Sequence, residues 1–454
     1  MRRAPILLVA CLAAEAHAQP APRTMSLHEA IAYARAHQPA LAAARARVEV
    51  AREAAQLPRA ARDTPRIALG AEIGLGTNNN TTTSYGSLDF VIPRIGGTPA
   101  YQDESWKPYV STLAGAGLEQ QIYDFGRLAA QADALDHFAA AQDEDAQLAD
   151  LDLSLLVEES FYAVAGAHAV QRAADAAVAR STSHRDLARA GVDAKLRPPV
   201  DLSRAEADLA RFQVDSVRAR GAVTTAQAVL AAAIGAPDPG IEAGTDDIAY
   251  PVVPPVADTM RELDRRDPAL RAALDSLDGQ RAVTRSIERE HWPDFVFSAG
   301  LTGRAGGATV AGASNPAGNG FVPDVPNWDA LVLVAVPIFD RTIDVRAATS
   351  RRTERVRSAE LDAERERLRG ATTQAYVDLQ VAQSALPALQ RALDAARANE
   401  DQVDARFKAG LSSSVELADS EALLTDAEIQ LAIGQFQLSR ARALLARVNA
   451  EVIP

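Results

Sequence analysis

Two carboxylates, Glu416 and Asp419, stand three residues apart just after the turn-forming run Gly410-Leu411-Ser412. On a helix that spacing puts both on one face. Acids in the first turn of a helix favour its dipole whatever else they do. No catalytic set surrounds them. The seven histidines fall at positions 17, 28, 37, 137, 168, 184 and 291, and none pairs with another at metal-ligand spacing. No Gly-rich phosphate loop opens a helix after a strand, and there is no nucleophile elbow. The other carboxylates fall on solvated helix faces. Cys11 is the only cysteine, which excludes an internal disulfide framework and a thiol-based zinc site. The residues therefore point away from an enzyme and imply no cofactor.

The elements that carry these residues are written twice. His37-Gln38-Pro39-Ala40-Leu41 returns as Arg266-Asp267-Pro268-Ala269-Leu270. Pro65-Arg66-Ile67 returns as Pro293-Asp294-Phe295, and Ile122-Tyr123-Asp124 as Ile338-Phe339-Asp340. Ala190-Gly191 with Val200-Asp201-Leu202 returns as Ala409-Gly410 with Val415-Glu416-Leu417. The order is the same in both copies. Residues 19–235 make the first repeat and 258–454 the second, joined by a Pro-, Gly- and Asp-rich linker over 236–257.

Each copy has one plan. A helical stretch of about 35 residues (26–59 and 258–291) leads to two β-like segments separated by a Gly/Asn/Thr/Pro-rich loop. A very long helical stretch follows (126–190 and 342–409), then a turn and a last helix (200–234 and 414–449). Leu361, Leu368, Ala375, Ala382, Leu389, Ala396 and Val403 recur at intervals of seven, with Leu379, Leu386 and Leu393 on the second seam. Leu148, Leu155, Tyr162, Ala169 and Ala176 keep that spacing in the first copy, interrupted by Glu158 and Arg172 on the second seam. Pro387 is expected to kink its helix. At 1.5 Å per residue the long helices span roughly 100 Å and the short ones roughly 50 Å. Two short helices can thus stack beside each long one.

The β-like segments, at about 65–75, 108–123, 293–304 and 329–338, place apolar residues on one face. Ile67, Leu69, Ala71, Ile73 and Leu75 alternate with Ala68, Gly70, Glu72 and Gly74, and Phe295, Phe297, Ala299 and Leu301 with Asp294, Ser298, Gly300 and Thr302. A half-buried sheet in a soluble domain and a transmembrane barrel strand share this period. Aromatic placement favours the barrel. Residues 65–125 and 292–339 hold 13 of the 22 aromatics, including Trp106, Trp292 and Trp328. With Tyr109, Tyr123 and Phe339 these are candidates for the membrane–water boundary. Four strands cannot close a barrel, so several protomers would contribute to one.

The chain has 454 residues and a net charge of −13. That length exceeds one hydrophobic core, and that charge gains nothing from counterion release on nucleic acid. Arg2, Arg3, the apolar run 6–14 and Ala16-His17-Ala18 read as a signal peptide over 1–18. The competing reading takes Leu8-Val9-Ala10-Cys11 as a lipobox with Cys11 lipidated. Either way the protein is exported.

The duplicated plan resembles the TolC-like outer-membrane efflux proteins. The motif with most detail is Phe407-Lys408-Ala409-Gly410-Leu411-Ser412-Ser413-Ser414-Val415-Glu416-Leu417-Ala418-Asp419, similar to the family's second periplasmic tip. The resemblance implies a mostly α fold with a minor β part: long coiled-coil hairpins plus four transmembrane strands per protomer. In a homotrimer these would form a twelve-stranded barrel in the outer membrane and an α-helical tunnel through the periplasm. It implies a passive duct whose tips, at Gly191, Gly410, Leu411 and Ser412, engage a periplasmic adaptor coupled to an inner-membrane transporter. It also implies that Glu416 and Asp419 line the periplasmic entrance, where three copies gather six carboxylates that attract cations. Asp201 matches a position that holds the entrance shut. The family's basic partner for it often follows the tip glycine; here that residue is Ser412, and Lys408 is the nearest basic candidate. A reading from another class is an exported coiled-coil scaffold or adhesin whose β segments form a soluble sheet.

Overall fold

The computed structural model describes residues 24–76, 109–244, 253–306 and 325–450. The expected signal peptide with Cys11, Trp106, nearly all of the two inter-strand loops and residues 245–252 of the linker lie outside the described residues.

The described chain is mostly helical. The first stretch of each copy is divided by a proline. In the first copy α1 (Leu27–His37) ends before Pro39, and α2 (Pro39–Ala54) and α3 (Leu57–Asp63) follow. In the second, α6 (Val256–Arg266) ends before Pro268 opens α7 (Pro268–Glu288). Each proline lacks the N–H that would continue the preceding helix, yet it suits the first turn of the next. The single helices expected over 26–59 and 258–291 are broken for this reason. α1 starts at a reciprocal cap: Ser26 Oγ accepts from the Glu29 N–H at 3.1 Å, and Glu29 accepts from the Ser26 N–H at 2.8 Å.

The long helices are α4 (Arg127–Asp193) and α8 (Arg341–Lys408), followed by α5 (Pro199–Ile234) and α9 (Ser414–Val448). α8 runs as one helix past Pro387, which leaves one i→i−4 hydrogen bond unmade. Its heptad residues Leu361, Leu368, Ala375, Leu379, Leu393 and Ala396 are buried. In α4 the buried stripe is different from the expected seam. Leu148, Leu155 and Tyr162 are only half-buried, and Val157, Phe161 and Val164 form the core instead. Glu158, which interrupts the expected second seam, is inside at 2% exposure.

Strands β2 (Arg66–Gly76), β3 (Tyr109–Tyr123), β5 (Asp294–Gly306) and β6 (Val325–Ala335) form one antiparallel sheet in the order β2-β3-β5-β6. β6 starts and stops before the expected segment 329–338; it ends two residues short of Pro337, which has no N–H to donate. Register joins the faces. Leu69, Ala116, Leu301 and Trp328 form one rung, and Ile67, Leu118, Ala299 and Ala330 another, both apolar. The intervening rung Ala68, Gly117, Gly300 and Asp329 turns small and polar residues to the other side. A second, two-stranded parallel sheet pairs β1 (Thr24–Met25) with β4 (Glu242–Ala243). Its strands are too short to leave a pattern in the sequence.

By contacts the chain forms two units, and each draws on both repeats. One takes Met1–Ala43, Gln147–Asp267 and Glu366–Pro454; its core includes Leu27, Ile31, Phe161, Leu230 and Ile234. The other takes Ala44–Ala146 and Pro268–Arg365, and contains the four-stranded sheet. Among the described residues, no helix is long and apolar enough to cross a membrane.

Candidate functional site

The α8–α9 turn is built around Gly410, whose φ of 75° is the left-handed value glycine tolerates best. Leu411 N–H donates to the Arg406 carbonyl at 2.8 Å and Gly410 N–H to the Phe407 carbonyl at 3.0 Å, which closes the end of α8. Ser413 then caps α9 by accepting from the Glu416 N–H at 3.2 Å. Ser412 Oγ donates to the Glu416 carboxylate. That hydrogen bond holds the Glu416 carboxyl below the usual glutamate range. Asp419 is exposed on the same face of α9 and makes no hydrogen bond or ion pair among the described residues. The acidic pair therefore serves the helix N-terminus and presents two carboxylates to solvent.

The α4–α5 turn works differently. Gly191 lies inside α4, and the residue with positive φ is Lys195, at 59°. Gly191 is therefore not placed there by a positive φ. Its carbonyl accepts from Leu196 and Arg197 N–H at 2.8 and 3.1 Å. A Cβ there would meet Arg197 Cδ at 2.9 Å, so this glycine makes room for the arginine to fold back.

Arg197 ties the two turns together. Its Nη2 donates to the Phe407 carbonyl at 2.9 Å, and its guanidinium lies over the Phe407 ring at 3.6 Å. Its Nη1 is 3.7 Å from Asp201 Oδ2. Asp201 Oδ1 accepts from Ser414 Oγ at 2.9 Å. Asp201 is thus engaged by a serine of the second turn and by the arginine of its own. Lys408, the basic candidate from sequence, pairs with Asp404 at 2.6 Å and does not serve Asp201. Sequence reasoning missed Arg197 and Ser414. The longer run from Gly191 to Val200 than from Gly410 to Val415 was the available signal, since the added residues include a cation four positions before Asp201.

Beneath this layer, Phe407 is 1% exposed and meets the His184 ring edge-on at 5.0 Å. His184 Nδ1 stands 3.8 Å from Glu421 Oε2, both side chains buried. Around this buried layer the turns expose apolar side chains: Leu196, Val200 and Leu411 are 82%, 66% and 71% exposed.

The aromatic candidates separate by position. Tyr123 ends β3, Trp292 precedes β5 and Phe339 follows β6, so these three exposed residues sit at the helix-proximal end of the sheet. Phe125 stacks on Trp292 with centroids 5.2 Å apart. Trp328 is exposed and lies farther along, on the apolar face opposite Leu301. Tyr109 opens β3 at the far end.

The profile of the outer membrane efflux protein family matches residues 30–236 and 260–450. Among solved structures, the outer-membrane channel OprN is similar at 19% identity, with 94% of this chain and 90% of that chain covered and a TM-score of 0.76. The outer membrane protein VceC of Vibrio cholerae gives 17% identity, 94% and 97% coverage and a TM-score of 0.75. CusC, described for its transmembrane channel formation, gives 15% identity, 94% and 92% coverage and a TM-score of 0.77. No curated protein sequence matches.

Proposed function

Because the chain belongs to the outer membrane efflux protein family, whose profile matches both of its repeats, we propose that it is a passive outer-membrane duct for substrates handed over by an inner-membrane transporter. One observation carries this reading: a four-stranded sheet with an apolar face whose edge strands, β2 and β6, have no further strand beside them among the described residues. In lipid each unpaired backbone group costs several kcal/mol, so such a sheet spans a bilayer only within a closed barrel. The smallest barrels need about eight strands. Three copies supply twelve, which makes the working unit a homotrimer in the outer membrane that reaches into the periplasm.

In this reading the hairpin turns form the periplasmic entrance. Gly191, Gly410, Leu411 and Ser412 lie on the surface that meets a periplasmic adaptor, and Glu416 and Asp419 ring the opening. Asp201, held by Ser414 and Arg197, keeps the two turns of one protomer closed on each other. Trp292, Trp328, Tyr123 and Phe339 anchor the sheet at the membrane–water boundaries.

The test is fractionation. A duct yields an SDS-resistant oligomer in outer-membrane fractions that dissociates on heating. A monomer in the soluble periplasmic fraction would favour the scaffold reading instead.

A further inference from the structure

The sheet edges say which helices meet between copies. β6 leads into α8, and β2 is entered from α3 and α2. If β6 of one copy pairs with β2 of the next, as the duct requires, the start of α8 comes beside the neighbour's α2–α3. This inference rests on that reading and adds what holds the helices in register.

Both helices carry an unpartnered face turned away from their own core. On α8 the buried positions Ile343, Ala347, Ser350 and Leu361 face inward. The opposite side exposes Val345, Ala348, Arg352, Val356, Ala359 and Ala363. On α2 and α3 the buried positions include Leu41, Ala44, Val48 and Pro58. The opposite side exposes Ala46, Val50, Glu53 and Leu57. Val345, Val356, Val50 and Leu57 are 57%, 55%, 70% and 69% exposed, a large apolar display for helices otherwise covered by charge.

The charges on these faces are complementary. Most arginines of α8 have acids of their own: Arg346 with Glu290, Arg351 with Glu288, Arg357 with Glu360 and Arg369 with Glu366. Arg352 and Arg355 are exposed and have no partner among the described residues. Glu49 and Glu53 on α2 are likewise exposed and unpartnered among the described residues.

Distance from the sheet then matches them. Arg352 lies eleven residues beyond Arg341, the first of α8, and Glu53 lies ten before Asp63, the last of α3. At 1.5 Å per residue both are about 15–17 Å from their helix–strand junctions. Arg355 and Glu49 are each fourteen residues from the same points, about 21 Å. The same count sets Ala359 near Ala46 and Ala348 near Leu57. We infer that α8 of one copy docks against α2–α3 of the next along a small-residue apolar seam, keyed by Arg352 to Glu53 and Arg355 to Glu49 of the neighbouring copy.

The experiment uses the full chain in outer-membrane fractions. Arg352→Glu with Arg355→Glu should lower by several degrees the temperature at which the SDS-resistant oligomer dissociates. Glu49→Arg with Glu53→Arg should do the same, and the four changes together should restore most of the loss. Independently, Glu53→Cys with Arg352→Cys should give covalent ladders under oxidation, while either cysteine alone gives none beyond the parent chain. An oligomer that ignores both reversals and does not cross-link overturns the seam and leaves the duct standing. A parent chain that forms no oligomer overturns the duct itself.

Discussion

Ser414 and Asp201 are 213 residues apart in sequence, and the serine hydroxyl donates to the aspartate carboxylate at 2.9 Å. The bond joins the first turn of α9 to the first turn of α5, so the two hairpin turns of one chain are fastened by side chains from both repeats. Arg197 completes the fastening from the other carboxylate oxygen, at 3.7 Å.

Removing Asp201 should loosen the turns more than removing Ser414. Ser414→Ala loses one hydrogen bond to a charged group, worth about 1.5 kcal/mol. Asp201→Ala also takes the counter-charge from Arg197, whose side chain is only 16% exposed. Asp201→Asn keeps an acceptor for Ser414 but drops the ion pair, and should fall between them. Closed-state conductance in planar bilayers reads the series, rising in the order Ser414→Ala, Asp201→Asn, Asp201→Ala.

The acidic pair predicts a pH dependence. Ser412 lowers the Glu416 pKa, so this carboxylate stays charged to lower pH than an ordinary glutamate and loses its charge only as pH falls through its own pKa. Ser412→Ala should therefore raise the pH at which cation preference fades. Glu416→Gln with Asp419→Asn should remove most of that preference at neutral pH, measured as the reversal potential under a salt gradient. An unchanged reversal potential would detach these residues from the entrance.

Glu158 is a buried carboxyl whose pKa is pushed up to about 8 by burial, and the neighbouring Glu159 charge adds to the rise. The native state holds this proton between the ordinary glutamate pKa and about 8, while the unfolded chain has released it. Stability is therefore lost as pH rises across that window. Glu158→Gln should raise the unfolding temperature at pH 8 and change it little at pH 4. Equal effects at both pH values would show that its charge is already compensated.

The two turn glycines should respond to alanine for different reasons. Gly410→Ala meets no neighbouring atom within 4 Å but must hold a positive φ, at a cost of about 1 kcal/mol. Gly410→Asn should recover part of it. Gly191→Ala has ordinary helical backbone but collides with Arg197, so it should phenocopy Arg197→Ala in conductance. Thermal melts and conductance on the four variants separate the two mechanisms.

Much of this was legible because repetition and period report on backbone geometry. The heptads of α8 found its buried seam, and alternation found the strands and their apolar face. The α4 seam was misread because Ala-rich stretches offer several stripes of similar hydropathy, and a buried Glu158 argues against the one the core uses. The turn site was half legible. Glu416, Asp419 and Asp201 sit in local motifs, whereas Arg197 acts through the fold of an insertion, and no local pattern tells that its guanidinium turns back onto Phe407. Ser414 pairs with a residue in the other repeat, a relationship that spacing along one chain does not carry.

The central claim is that the open sheet closes into a conducting barrel only when copies combine. Planar-bilayer recording of the purified SDS-resistant oligomer, before and after heat dissociation, tests it most directly. The account predicts discrete channel conductance from the oligomer and none from the separated chains. Conductance of equal size from monomers, or none from an intact membrane-embedded oligomer, would contradict it.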